Sequence, residues 1–149
     1  MDGYGRWVAE NSIVIDAPPG RVFDVLADAE TYGEWVVGTR TVRGADESWP
    51  APGARLYHSV GAGPVTIDDS TEVVEAEAPH RLVLRAHLGP LGTFHVELAL
   101  RDDGRGGTNV TMVEHPVEGV SKLAGPVGDA AGSVRNMLSL RRLKELAER

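Results

Sequence analysis

The sequence predicts an α+β fold: a curved antiparallel sheet of about seven strands wrapped around a long C-terminal helix, with two short helices between strands one and two. Three observations carry that prediction. An extended segment near the N-terminus is followed at once by two stretches with helical spacing. Six more extended segments then follow one another across short turns, which makes an antiparallel meander. Residues 118–149 hold the one remaining long helical pattern, and a sheet with alternating faces needs a cover, so the sheet must curl around it. One helix rarely fills a curled seven-stranded sheet, and a residual cavity is expected.

"WVAENSIVIDA" (7–17) reads as strand one from its β-branched Ile13, Val14 and Ile15. Pro18 or Pro19 suits the first turn of the helix that follows, where a missing N–H costs nothing. "GRVFDVLADAE" places Val22, Phe23, Leu26 and Ala27 on one face. "ETYGEWV" is a second short helix ending near Gly38, with Tyr32 and Trp35 three apart and therefore on a shared face. Strands are then expected at 39–45, 55–60, 65–78, 81–88, 93–101 and 108–116. Pro79 breaks the long third of these, "GPLG" turns the chain at 89–92, and "DDGRGG" is a strong hairpin signal. In the C-terminal helix the apolar positions are Val127, Ala130, Val134, Met137, Leu138, Leu143 and Leu146, with Gly125-Pro126 at its start or at a kink.

Composition narrows the function. A chain of 149 residues is most economically a single domain spanning 1–149. Its net charge of −7, with scattered basic residues, argues against nucleic acid or an anionic membrane as the main partner. The absence of cysteine excludes disulfides and thiolate chemistry. No apolar run approaches the roughly 20 residues a membrane helix needs, and "MDGYGRWVAE" has no secretory pattern, so a cytoplasmic location is expected. The five histidines (58, 80, 87, 95, 115) show no ligand spacing, and neither a metal nor any other cofactor is expected. "GAGPVT" and "GRGGTN" precede strands rather than helices, so they read as hairpin turns and not as phosphate cradles.

The order of elements and several landmarks resemble the START / Bet v 1-like (SRPBCC) superfamily, most closely its bacterial polyketide cyclase/dehydrase-type members. The landmarks are "IVIDAPPGRVFDVLADAETYGEW", "PGARLYHSV", "TEVVEAEAPHRLVL" and "GGTNVTMVE", and the similarity covers roughly 10–148. The resemblance implies a helix-grip fold with a hydrophobic cavity between sheet and C-terminal helix. It does not name a ligand, because this fold hosts cyclases, lipid carriers, hormone receptors and chaperone-assisting proteins alike. It also implies that Trp35 sits beside the pocket entrance, although packing under the helix pair would equally explain Trp35 and Tyr32.

Alternation assigns the inward faces: Ile13 and Ile15; Leu56, His58 and Val60; Leu82, Leu84 and Ala86; Phe94, Val96, Leu98 and Leu100; Val110, Met112 and Glu114. Glu114 is the anomaly, a carboxylate on a face its own strand marks as interior. A buried carboxylate without a partner costs several kcal/mol or takes up a proton. Two environments would tolerate it: solvent at the strand end, two residues before Pro116, or a cavity wall opposite an inward His or Arg. Part of the run Asp68, Asp69, Ser70 and Glu72 is a further inward candidate, beside the alternative of a solvated bend.

The expected ligand-binding set is Tyr32, Trp35, Leu56, His58, Leu84, Phe94, Val96, Leu98, Met112, Glu114, Val134, Met137 and Leu138, with Glu114 and His58 as candidate acid/base groups. Binding of a small hydrophobic or amphipathic molecule ranks first among functions, for carriage, sequestration or sensing. A cofactor-independent cyclase or dehydratase using the same cavity ranks second. An interaction module assisting a chaperone ATPase ranks third. Ligand identity and oligomeric state are not readable from the residues.

Overall fold

In the computed structural model the described residues are 9–62, 64–87, 92–118 and 126–149, with side chains described for all of these except 61, 62, 118 and 126–131. The expected strand start at 7–8, Leu88, most of the "GPLG" turn and Gly125 lie outside the described residues, as do the side chains of Val127 and Ala130.

Seven strands form one antiparallel sheet: β1 (Ala9–Ile15), β2 (Thr39–Ala45), β3 (Arg55–Ala62), β4 (Val65–Glu77), β5 (Arg81–His87), β6 (Thr93–Asp102) and β7 (Thr108–Glu118), in spatial order β1-β7-β6-β5-β4-β3-β2. Between β1 and β2, which form opposite edges, lie α1 (Pro19–Ala27), a 3₁₀ turn (Ala29–Thr31) and α2 (Tyr32–Trp35). The 22-residue α3 (Pro126–Ala147) closes the chain and packs on β1, α1 and α2. This is the helix-grip arrangement that the order of elements predicts.

Local chemistry explains the elements. Pro19 occupies the first turn of α1, and Val22, Phe23, Val25 and Leu26 are buried behind it. Asp28 caps the 3₁₀ turn by accepting a hydrogen bond from the Glu30 N–H at 3.0 Å, and the Thr31 hydroxyl donates to the Val25 carbonyl at 2.8 Å. The β4–β5 turn falls at Ala78–His80, where Pro79 follows a cis peptide bond.

The β6–β7 hairpin turns where "DDGRGG" signals it. Asp103 Oδ1 accepts from the backbone N–H groups of Arg105 (2.7 Å) and Gly107 (2.9 Å). At Gly107 a Cβ would lie 2.6 Å from Asp103 Oδ2 and 2.8 Å from the Ile15 carbonyl oxygen. One neighbour is backbone and the other is held by the turn, so neither can yield cheaply. Gly107→Ala is expected to cost about 1–3 kcal/mol, read as a lowered thermal midpoint.

Cross-strand register builds the inner face. Val73, Leu84, Val96 and Glu114 are successive partners across β4, β5, β6 and β7, and Leu82, Leu98 and Met112 form the neighbouring row. The core joins these rows to α1, α2 and the buried positions Leu140, Leu143, Leu146 and Ala147 of α3. Register shifts fall within β2–β3, between Val73 and Glu75, and between Thr93 and Phe94; the second moves the inward phase of β4 from Val73 to Ala76, and the inward faces of β5, β6 and β7 stay in register.

Candidate functional site

A cavity of about 520 Å³ lies between the sheet's inner face, α2 with the segment after it, and the middle of α3. The sheet contributes Val60, Ile67, Leu84, Ala86, Val96 and Met112, a mostly aliphatic wall. The α2 segment adds Tyr32, Trp35 and Val36 to Thr39. Polar groups come from His58 on β3, Glu114 on β7, and Arg135, Asn136 and Ser139 on α3.

Glu114 is buried, with 8% of its surface exposed, and it is not alone. Both of its carboxylate oxygens accept from one amino group of Arg135, Nη2, at 2.5 and 2.7 Å. Arg135 Nε and Nη2 in turn reach Asn136 Oδ1 at 3.4 Å. Burial nevertheless holds the Glu114 carboxyl above its ordinary range, outweighing the opposing pull of Arg135 and of the nearby Asn136 amide. The Asn136 amide acts there at longer range, since its Nδ2 makes no hydrogen bond of ordinary geometry. Gly132 lies beneath this pair; a Cβ there would sit 3.7 Å from Glu114 Oε1, in ordinary contact.

A second polar group sits deeper. The Thr71 hydroxyl is shared by His58 Nε2 at 2.9 Å and the Tyr32 hydroxyl at 3.0 Å, and the Tyr32 and His58 rings stack at 5.6 Å with an interplanar angle of 14°. Burial pushes the Tyr32 phenol up to about 12. It pushes His58 below its ordinary value despite Asp69, its cross-strand partner, so a neutral imidazole faces a neutral phenol at pH 7. Of the acidic run on β4, Asp69 is paired in register with His58, whereas Glu72 turns outward to Arg55 at 3.5 Å and Asp68 accepts from Ser59 at 2.8 Å.

The structure brings together Tyr32, Trp35, His58, Leu84, Val96, Met112 and Glu114 around one cavity. Leu56 and Leu98 are fully buried in the core instead, and Phe94 is half-buried on the same face as Ala86. The α3 positions need correction. Val134 and Leu138 are 61% and 42% exposed and Met137 only partly buried, so none of the three reaches the cavity. The inward positions are Asn136, Ser139, Leu140 and Leu143, and Leu138 lies about 200° of helix rotation from Leu140.

Sequence reasoning missed Arg135, Asn136 and Ser139. A signal existed: the Leu140, Leu143, Ala147 stripe, carried back by helical period, lands on Asn136 and Gly132. It was masked because helix positions over a cavity need not be apolar. Ser139 is held by its own contact, its Oγ accepting from the Val37 N–H at 3.0 Å, which ties the cavity rim to α3. Among the described residues no cluster of His, Asp and Glu has metal-holding geometry, and no helix is long and apolar enough to cross a membrane.

Comparison with known proteins agrees with this architecture. A family model described as "Polyketide cyclase / dehydrase and lipid transport" matches residues 6–148. Among curated proteins none matches. Solved structures with the same fold include a protein from Thermus thermophilus (TM-score 0.72, 16% identity, 94% of this chain and 96% of that one). They also include Ara h 8.0201 (TM-score 0.71, 10% identity, 94% and 96%). A third is the di-domain ARO/CYC BexL from the BE-7585A biosynthetic pathway (TM-score 0.67, 20% identity), of which the alignment covers 95% of this chain but 48% of that one.

Proposed function

Because the chain belongs to the polyketide cyclase/dehydrase and lipid transport family, within the START / Bet v 1-like superfamily, we propose that it binds a small hydrophobic or amphipathic molecule in the cavity between sheet and α3, for carriage, sequestration or sensing. The observation carrying this reading is the cavity itself. Its volume of about 520 Å³ falls within the roughly 300–1,000 Å³ typical of small-molecule sites, and an aliphatic wall with a few polar groups is their usual lining.

Native mass spectrometry of the purified protein tests the proposal, the expected result being a discrete non-covalent adduct that is lost under denaturing conditions. Ala86→Phe supplies a sharper check. Ala86 is a small residue on the cavity wall, and a ring there would occupy ligand space while leaving the strand intact. The variant is expected to keep its circular dichroism spectrum and to lose at least about 10-fold in affinity for whatever the wild type retains. An unchanged affinity would place the ligand elsewhere.

A cyclase- or dehydratase-type enzyme is the second reading, favoured by the family's description and by the likeness to BexL. The two candidate acid/base groups are both constrained: Glu114 is bonded to Arg135, and His58 has Nε2 bonded to Thr71 and Nδ1 buried without a hydrogen-bond partner among the described residues. Catalysis here would therefore rest on holding a flexible substrate in a reactive shape rather than on a free acid or base.

A further inference from the structure

Most of the cavity lining is buried, and its exposed members lie together. Gly38 and Val65 are exposed, and Val36, Val37, Thr39 and Val60 beside them are half-buried. The mouth therefore lies between the segment that links α2 to β2 and the facing ends of β3 and β4. Both ends of segment 36–39 are fixed. Trp35 before it is 2% exposed in the core, and the Val36 N–H donates to the Tyr32 carbonyl at 3.0 Å. Thr39 pairs with Val60 in the sheet, and its N–H returns to the Val36 carbonyl at 3.2 Å, so Val37 and Gly38 form the tip of a small turn. Gly38 holds a φ of +103° with open space where a Cβ would stand, and such a residue changes conformation at little steric cost. Among the described residues one hydrogen bond runs from this turn to α3: the Val37 N–H donates to Ser139 Oγ at 3.0 Å. Ser139 is itself 2% exposed and is followed by the fully buried Leu140, so the acceptor is anchored in the packed half of the helix.

We propose that Ser139 latches the mouth: it pins the turn at 36–39 against α3 and sets the rate at which a bound molecule enters and leaves, while leaving its affinity unchanged. This inference rests on the binding reading above. The bond joins two parts of the chain and is made whether the cavity is filled or empty. Its removal weakens the closed state equally with and without ligand, so entry and exit accelerate by the same factor and the dissociation constant stays put. The net worth of one such hydrogen bond corresponds to about 3- to 10-fold in each rate. A side chain that held the ligand directly would behave differently, because its loss would speed exit alone and weaken affinity in step. Ser139 lines the cavity, so the two cases must be separated by kinetics. In the latch it is a positioning residue that acts through the Val37 backbone.

Ser139→Ala removes the acceptor and keeps a small, helix-compatible side chain. Two measurements on the full chain test it. In the first, N-phenyl-1-naphthylamine, an uncharged dye whose fluorescence rises out of water, is mixed with wild type and variant in a stopped-flow instrument. Association and dissociation rates are both expected to rise about 3- to 10-fold in the variant, with the dissociation constant within about twofold of wild type. The second is amide hydrogen exchange without dye. The Val37 amide is expected to exchange about 3- to 10-fold faster in the variant, and the Val36 amide, bonded to Tyr32, at the wild-type rate. Wild-type binding rates in Ser139→Ala overturn the inference. A faster dissociation rate alone, with a matching loss of affinity, also overturns it, since Ser139 would then be a ligand contact. Unchanged exchange at Val37 does the same, and all three results leave the binding reading standing. A wild-type chain that leaves the dye unbound sinks the binding reading and this inference with it.

Discussion

Arg135→Met lowers stability by roughly 2–3 kcal/mol at pH 7, and much of that loss returns when Glu114→Gln is added. Glu114 is 8% exposed and has no other cation at hydrogen-bond distance among the described residues, so removing Arg135 leaves a carboxylate in an apolar wall. Breaking one side of a buried ion pair costs about 3–5 kcal/mol, and the partial exposure of Arg135 lowers the expectation here. Replacing both partners by uncharged groups of similar size is often neutral, which is why the double variant should recover to within about 1 kcal/mol of wild type. The deficit should also depend on pH. Glu114 already titrates above its ordinary range, and losing Arg135 raises it further. A carboxyl with a raised folded-state pKa binds more protons folded than unfolded, so stability falls as pH rises from about 4.5 through that pKa. Chemical denaturation at pH 4.5 and pH 7 should therefore show a small difference between Arg135→Met and wild type in acid and the full difference at neutrality. Equal losses in the single and double variants would mean that Arg135 acts by packing alone.

The anomaly that marks this pair is visible in the sequence, and its resolution is not. Val110, Met112 and Glu114 alternate on one face of β7, which identifies a carboxylate aimed inward. Nothing local says whether that face meets solvent, a cavity or a cation, because the answer sits 21 residues away on α3. The central strands were legible for a physical reason: a buried face is recorded directly by the period of two, in Leu82, Leu84 and Ala86 of β5 or in Val96, Leu98 and Leu100 of β6. The hairpin at Asp103–Gly107 was legible too, since its residues are chosen for backbone geometry alone. Helix α3 was the hard case. Its C-terminal half packs on the core and shows it in Leu140, Leu143 and Leu146. Its middle spans the cavity, where Arg135, Asn136 and Ser139 line the space and apolar Val134 and Leu138 face away. Hydrophobic periodicity reports what is packed, and over a cavity nothing is packed.

Leu140→Ala puts that account of α3 to a measurement, with an expected loss of about 2–5 kcal/mol. Leu140 is fully buried, inside the cluster that joins α3 to the sheet and α1. Truncation removes the transfer free energy of the lost methyl groups and leaves a void. The loss should fall toward the upper part of that range unless the enlarged space merges with the neighbouring cavity, in which case water or ligand fills part of it and the cost drops. Leu138→Ser provides the contrast on the same helix. At 42% exposure its side chain loses little on truncation, and a surface change of this kind stays within about 0.5 kcal/mol. The two substitutions remove comparable side chains from the same helix, so helix propensity cannot account for a large gap between their thermal midpoints. A gap of several kcal/mol fixes the helix phase. If instead Leu138→Ser proved as damaging as Leu140→Ala, α3 would be rotated by about half a turn. Arg135 and Asn136 would then leave the cavity wall, and the ion pair with Glu114 would go with them.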